Sequence, residues 1–178
     1  MLESSPTDVK METMIEILPL QPHQIEDAKR VICVVAYHIF GSEKSLDEFI
    51  QEVIGDHELD DMDNYRERYA PENRGLFLVV LDDGKVIGTG AVRKKTDEVA
   101  ELKRIWLLEE YHGRQIGYRV VNMLLDFARA QGYQSVYLES TQRQKRALAF
   151  YRRMGFQDVP GPHDPQDFDG VSMEMALS

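Results

Sequence analysis

The sequence predicts a single α/β domain. Short segments that alternate apolar and polar residues are interleaved with longer ones whose apolar residues recur every three or four positions. No internal repeat, low-complexity tract or linker interrupts them, and 178 residues suffice to bury one large core. The domain is expected over residues 13–178, preceded by a flexible, polar and acidic tail at 1–12.

Each element follows from its pattern. Residues 13–20, "TMIEILPL", alternate and stop at a proline, which reads as a strand. Pro22 begins a helix in which Ile25, Ala28, Ile32, Val35 and Ile39 share one face up to Gly41, with Cys33 expected near the edge of that face. Ser45 begins a second helix, "SLDEFIQEVI", whose first turn carries the acids that the helix dipole favours. The polar stretch 55–75 reads as a mobile connection or a short helix. Strands are expected at 76–81 and 86–93, joined by a tight hairpin at Asp83-Gly84, and a third at 98–108. After the turn "YHGRQIGYR" comes a helix with Val120, Val121, Leu124, Leu125 and Ala128 on one face and a stop at Gly132. A strand at 133–140 follows, then a helix with Ala147, Leu148, Phe150, Tyr151 and Met154 on its apolar side, ended by Gly155. Short strands close the chain at 156–159 and 171–175.

Composition narrows the class. Hydrophobic residues at 43% and charged residues at 29% are ordinary soluble usage, and no segment approaches the roughly 18 apolar residues of a membrane span. The first residues lack the basic start and apolar middle of a secretory signal, and the single cysteine excludes an internal disulfide, so the cytoplasm is the expected compartment. The net charge of −10 argues against nucleic acid. Its distribution is uneven: residues 43–74 hold eleven acids against four Lys and Arg, and residues 112–153 hold eight Lys and Arg against two acids. One region attracts cations and the other anions, or both are solvated faces.

The turn between the third strand and the next helix is the main candidate for chemistry. A strand, a basic glycine-containing turn and a helix are the arrangement in which backbone N–H groups at a helix start point at an anion. "GRQIG" is neither of the common nucleotide-binding glycine signatures, so from spacing alone the glycines serve an anion cradle or only a tight turn. "DHELDDMD" with His57 lacks the glycine and final glutamate of a calcium loop and reads as acidic surface; "PHDPQDFDG", with His163, Asp164, Asp167 and Asp169, reads as turn chemistry. His23 and His38 read as structural, and no metal site is expected.

"ELKRIWLLEEYHGRQIGYRVVNMLLDFARAQGYQSVYLEST" followed by "KRALAFYRRMGF" resembles the GNAT superfamily of acyl-CoA-dependent N-acetyltransferases in order, spacing and composition. The resemblance is tight over 76–156 and looser over 15–177. It implies a mixed, mostly antiparallel sheet flanked by helices, with two early helices over one side, and acetyl-CoA as co-substrate. In the family pattern Gln/Arg-x-x-Gly-x-Gly/Ala, His112 takes the first position, Gln115 the first glycine and Gly117 the second. The loop His112, Gly113, Arg114, Gln115, Ile116, Gly117 and Tyr118 would then hold pyrophosphate through backbone amides. Gln115 strains the loop by on the order of 1–3 kcal/mol if positive φ is required there, and costs little if glycine serves only close approach.

The same resemblance implies that the strand before the turn splays, so that the main chain of Ile105, Trp106 and Leu107 pairs with the pantetheine arm. Glu101 matches the base that removes a proton from the acceptor amine. Read alone, it is equally an exposed acid on a half-buried strand. In a regular strand Glu101 shares a face with Lys103, Ile105 and Leu107, and a bulge would change that parity. Tyr151 matches the acid that protonates the departing thiolate, although a helix tyrosine is more often core with its hydroxyl satisfied locally. Gln144 stands where many members carry an asparagine, and Arg143, Lys145 and Arg146 either meet CoA phosphates or form a solvated helix start.

The expected activity is therefore acetyl transfer from acetyl-CoA to a primary amine by direct attack in a ternary complex. A small cationic amine or a peptide amine is preferred because of the acidic segment 43–74. No membrane or nucleic-acid partner is expected, and a homodimer is left open. The alternative is a GNAT-fold protein that senses acyl-CoA or turns over weakly, motivated by His112, Gln115 and Gln144.

Overall fold

The computed structural model describes residues 14–162 and 169–178. The expected tail at 1–12, and His163, Asp164 and Asp167, lie outside the described residues. Seven strands form one sheet: β1 (Ile15–Pro19), β2 (Leu76–Asp82), β3 (Lys85–Lys94), β4 (Val99–Leu107), β5 (Ser135–Thr141), β6 (Gln157–Val159) and β7 (Gly170–Ala176). Their spatial order is β1-β2-β3-β4-β5-β7-β6, and among the described residues only β4 and β5 run parallel. The expected mixed, mostly antiparallel sheet is thus observed.

The helices are α1 (Ile25–Phe40), α2 (Leu46–Gly55), α3 (Tyr65–Tyr69), α4 (Ile116–Ala130) and α5 (Lys145–Met154). Pro22 opens a 3-10 turn and α1 begins only at Ile25. Ser45 caps α2 in a reciprocal box: the Glu48 N–H donates to Ser45 Oγ at 3.3 Å and the Ser45 N–H to Glu48 Oε2 at 2.9 Å. The polar stretch resolves into α3 between two 3-10 turns.

The strands alternate between two cores. Phe77, Val79, Leu81, Val86 and Ala91 face α1, where Ala28, Val31, Ile32 and Cys33 are buried. Cys33 is 1% exposed, so it sits in this core and not at its edge as expected. Leu78, Val80, Ile87, Val92, Ala100 and Leu102 face α4 and α5, meeting Val120, Val121, Leu124, Leu125, Leu148 and Tyr151. Burial of side chains this size contributes about 1.5–3 kcal/mol each, which fixes both helices on the sheet. Gly90 allows the close approach, since a Cβ there would lie 2.5 Å from Val120 Cγ1.

Strand β4 departs from regular pairing on both of its edges. It pairs with β5 only over Val99, Ala100 and Glu101, opposite Ser135, Val136 and Tyr137, after which the two strands part. Against β3 its register shifts between Thr89 and Ala91. Arg104 absorbs the extra residue at φ 57, in the left-handed region that few side chains adopt.

Candidate active site

The mouth of the opening between β4 and β5 is formed by the turn before α4. Gly113 has φ 80 and Gln115 has φ 59, both left-handed. Nothing lies within 4 Å of a Cβ built on Gly113, so that glycine answers a backbone angle and not a lack of space. Gln115 meets the same angular demand with a side chain. Of the two expectations for this residue, strain is the one observed. Its side chain is exposed and makes no capping hydrogen bond, so it does not fill the turn.

The backbone N–H groups of residues 113–118 donate to no described residue. The last amide before them, His112 N–H, is bound to the Glu109 carbonyl at 3.0 Å. No acid occupies the first turn of α4. A run of free amides at the start of a 15-residue helix is a site for an anion. Gly117 keeps one side of it open, since a Cβ there would meet only Phe150 at 3.9 Å. The residues present therefore fit a pyrophosphate.

His112 does something different from what its position in the motif implies. Its Nε2 lies 3.2 Å from the Leu107 carbonyl. A carbonyl only accepts, so Nε2 carries a proton, and the buried Nδ1 has no partner among the described residues. The ring thus ties the turn to the end of β4. Arg114 lies exposed, its guanidinium 5.2 Å from the centre of the Tyr111 ring. Tyr118 is exposed, and Ile116 is buried beneath the helix start.

Along β4, the bulge divides the residues that a regular strand would group together. Ala100, Leu102, Ile105 and Leu107 pack on the α4 side, whereas Trp106 packs with the α1 core. Glu101 and Lys103 line the clefts formed beneath α3 on that other side. The regular-strand grouping of Glu101 with Ile105 and Leu107 is therefore corrected. Past Glu101, β4 has no β5 partner, so the main chain of Ile105, Trp106 and Leu107 borders the opening. Trp106 pairs with Thr89 and Leu107 with Gly88 on the other edge.

Glu101 is 6% exposed, which rules out the reading of it as an exposed acid. Its Oε2 accepts from Arg93 Nε at 3.1 Å, with Arg93 Nη2 also 3.1 Å away in the same ion pair, and Oε1 has no donor among the described residues. On the other side of the opening, Tyr151 is 6% exposed in the α5 core beside Phe150 and Phe156. Its hydroxyl bonds to no described residue, and burial raises its pKa above the ordinary tyrosine value. A core tyrosine normally has its hydroxyl satisfied; this one holds its proton with nothing beside it to accept it. Gln144 precedes α5 and accepts from Ser140 Oγ through Oε1 at 2.6 Å, so only its amide nitrogen is free. Arg143, Lys145 and Arg146 are exposed at the same helix start, with Arg143 4.0 Å from Asp169.

Sequence reasoning missed a cluster that holds the bulge. Arg104 Nη2 reaches Asp61 Oδ1 at 2.6 Å and the Glu58 carbonyl at 2.8 Å, and its Nε reaches Asp61 Oδ2 at 3.3 Å. Tyr69, buried, donates to Asp61 Oδ2 at 2.8 Å, and Thr89 Oγ1 donates to the Arg104 carbonyl at 2.7 Å. Burial alone would raise the Asp61 pKa, but the hydrogen bonds from Arg104 and Tyr69 more than offset it and hold the carboxyl below its ordinary value. Other acids of the same stretch are engaged locally: Asp60 with His57, Asp63 with Lys29 and Glu52 with Lys44. The acidic surplus of 43–74 does not, then, by itself form an acceptor pocket.

The mixed sheet order, with one parallel strand pair that parts beside a helix start, defines the class as the acetyltransferase fold. Among solved structures, the chain is similar to the PaiA N-acetyltransferase from Thermoplasma acidophilum in complex with coenzyme A: TM-score 0.75, 22% identity, 92% of this chain and 99% of that one. That likeness concerns the fold alone. The acetyltransferase (GNAT) family model matches residues 42–156, and the chain belongs to that family. It is also similar to a probable N-acetyltransferase camello of Xenopus tropicalis, 34% identical over 99 residues, 54% of this chain and 45% of the relative. An IAA acetyltransferase of Azospirillum brasilense is 37% identical over 100 residues, 56% of this chain and 65% of the relative. The matched region thus spans about half to two thirds of these relatives.

Proposed function

We propose that this protein transfers an acetyl group from acetyl-CoA to a primary amine, within a ternary complex. The observation that carries the reading is the opening between β4 and β5, with free amides of residues 113–118 at its mouth and the buried Glu101 carboxylate beside it. Acetyl-CoA supplies an acetyl group activated as a thioester. Residues 112–118 and Gln144 bind its polar end, and the free edge of β4 at Ile105, Trp106 and Leu107 orients its arm. An acceptor amine arrives mostly as ammonium, since its ordinary pKa is near about 10.4, and Glu101 Oε1 takes the proton directly or through water. Arg93 positions Glu101 for this. Tyr151 gives its proton to the leaving sulfur.

The test combines thermal stabilisation by acetyl-CoA with free-thiol release across a panel of amines. Stabilisation together with release supports the transferase. Gln115 at positive φ is the one observation that favours the second reading, an acyl-CoA sensor or weak enzyme, and stabilisation without release on any amine supports that one. No stabilisation at millimolar acetyl-CoA removes both.

A further inference from the structure

The cleft beside Glu101 is richer in unpaired positive charge than in unpaired negative charge. A cleft of about 660 Å³ is lined by Arg68, Arg74, Arg93, Lys94, Lys95 and Glu101, with Glu67 and Glu72 at its rim. A second, of about 450 Å³, shares Arg68, Arg93 and Glu67 with the first and adds Lys103, Arg104, Glu58, Asp60 and Asp61. The acids closest to the sheet are already engaged: Glu101 by Arg93, Asp61 by Arg104, Asp60 by His57. Glu58, Glu67 and Glu72 are exposed.

Lys103 is one of the cations left over. It lies half-buried on β4, and neither it nor Arg68 makes an ion pair with a described residue. Burial lowers the Lys103 pKa below the ordinary lysine value; the charges of Glu101 and, less, Glu139 pull it back up, and Arg93 and Arg104 push it further down. A half-buried ammonium with no ion-pair partner is costly, and a ligand anion would relieve that cost. Strand alternation puts Lys103 on the same face as Glu101, with Cα atoms about 6.6 Å apart at two residues' rise. One small molecule spans both.

We propose that the acceptor is a small amino-carboxylate, its carboxylate received by Lys103 with Arg68 beside it and its amine presented to Glu101. The inference rests on the transferase reading above and names the acceptor class for it. The acceptor's C–N bond forms as the thioester C–S bond breaks. Of the two protons the ammonium gives up on becoming an amide, one leaves through Glu101 to solvent and the other balances the proton that Tyr151 gives the thiol. No oxidant, reductant or metal enters.

The test uses matched probes on the full chain: L-amino acids, their carboxamides, and alkylamines and diamines, each with acetyl-CoA, followed by free-thiol release. Amino acids are expected to show kcat/KM at least tenfold above their carboxamides, even though an amide's amine is the more easily deprotonated. Lys103→Met is expected to raise the amino-acid KM at least tenfold and erase the preference, with the acetyl-CoA KM unchanged; Lys103→Arg restores part of it. Carboxamides or diamines used as well as amino acids, or an amino-acid KM unmoved by Lys103→Met, overturn the proposal. If no amine turns over, the transferase reading fails separately. Calorimetry on the CoA-loaded protein then decides the anion site: amino-acid binding lost in Lys103→Met sustains it, and no such binding overturns it.

Discussion

Replacing Gln115 by glycine tests the claim that this turn is strained for the sake of its free amides. Gln115 has φ 59 and ψ 18 at the residue before α4, its side chain is exposed, and it makes no capping hydrogen bond, so Gln115→Gly removes no side-chain hydrogen bond. A side chain in the left-handed region costs about 1–2 kcal/mol, and glycine relieves it. Against this, glycine gives the unfolded chain more freedom, which offsets about 0.4–1 kcal/mol. The net gain is about 0–1.6 kcal/mol, or roughly 0–6 °C in Tm for a chain of this size. Calorimetric melts of both proteins with and without acetyl-CoA measure it, and titration calorimetry gives the affinity. Acetyl-CoA affinity is expected to be equal or tighter, because the amides remain and the approach is freer. A lower Tm would refute the strain argument. A tenfold weaker affinity, about 1.4 kcal/mol, would show that the glutamine side chain itself holds the ligand.

Glu101→Gln keeps the shape and removes the base, so the rate is expected to fall mainly at low pH, where unassisted deprotonation of the amine is rarest; an unaltered pH–rate profile removes that role. Tyr151→Phe is expected to lower kcat by about 10²–10⁴-fold, the usual contribution of a general acid, with acetyl-CoA affinity largely kept, as single-turnover and binding measurements will read. Asp61 has a depressed pKa, so the stability it contributes is present above its unfolded pKa near about 3.9 and is lost as pH falls through the lower folded value. Asp61→Asn is therefore expected to lose on the order of 1.5–3 kcal/mol at neutral pH, with a smaller further loss on acidification than the parent, measured by urea melts from pH 7 to pH 3. Gly90→Ala drives a Cβ to 2.5 Å from Val120 Cγ1 and is expected to lose about 1–3 kcal/mol in the same melts, because α4 has to lift from the sheet.

Much of the fold was legible because its signals are local. The Asp83-Gly84 hairpin, with φ 48 and 81, and the Ser45–Glu48 box each depend on residues within a few positions. The apolar face of α4 was read correctly from its spacing, and all five named residues are buried. The free amides of the turn before α4 were legible for the same reason: a helix start leaves amides free whatever side chains it carries. The elements left open were those whose form depends on distant partners. Residues 55–75 hold their short helices because Tyr69 and Met62 are buried against the sheet, and a polar composition gives no sign of that.

The acceptor side of the site was illegible for a related reason. Arg93 meets Glu101 only because β3 and β4 pair in one register, and Arg104 meets Asp61 across 43 positions. A surplus of acids in 43–74 names no partners: Asp63 meets Lys29 of α1, Glu52 meets Lys44 of the same stretch, and Asp61 meets Arg104 of β4. The last of these pairs explains why a bulge at an arginine persists. The left-handed φ at Arg104 costs on the order of 1–3 kcal/mol, and two charge-assisted bonds to Asp61, each worth about 1.5–3 kcal/mol, are of a size to offset it. The bulge in turn decides which side chains reach the cleft. With it, Glu101 and Lys103 face the α3 side while Ile105 and Leu107 pack against α4; without it, all four would share one face and Trp106 would leave the α1 core. The ion pair between α3's flank and β4 is thus what separates the proposed base and the proposed anion site from the apolar wall along the opening.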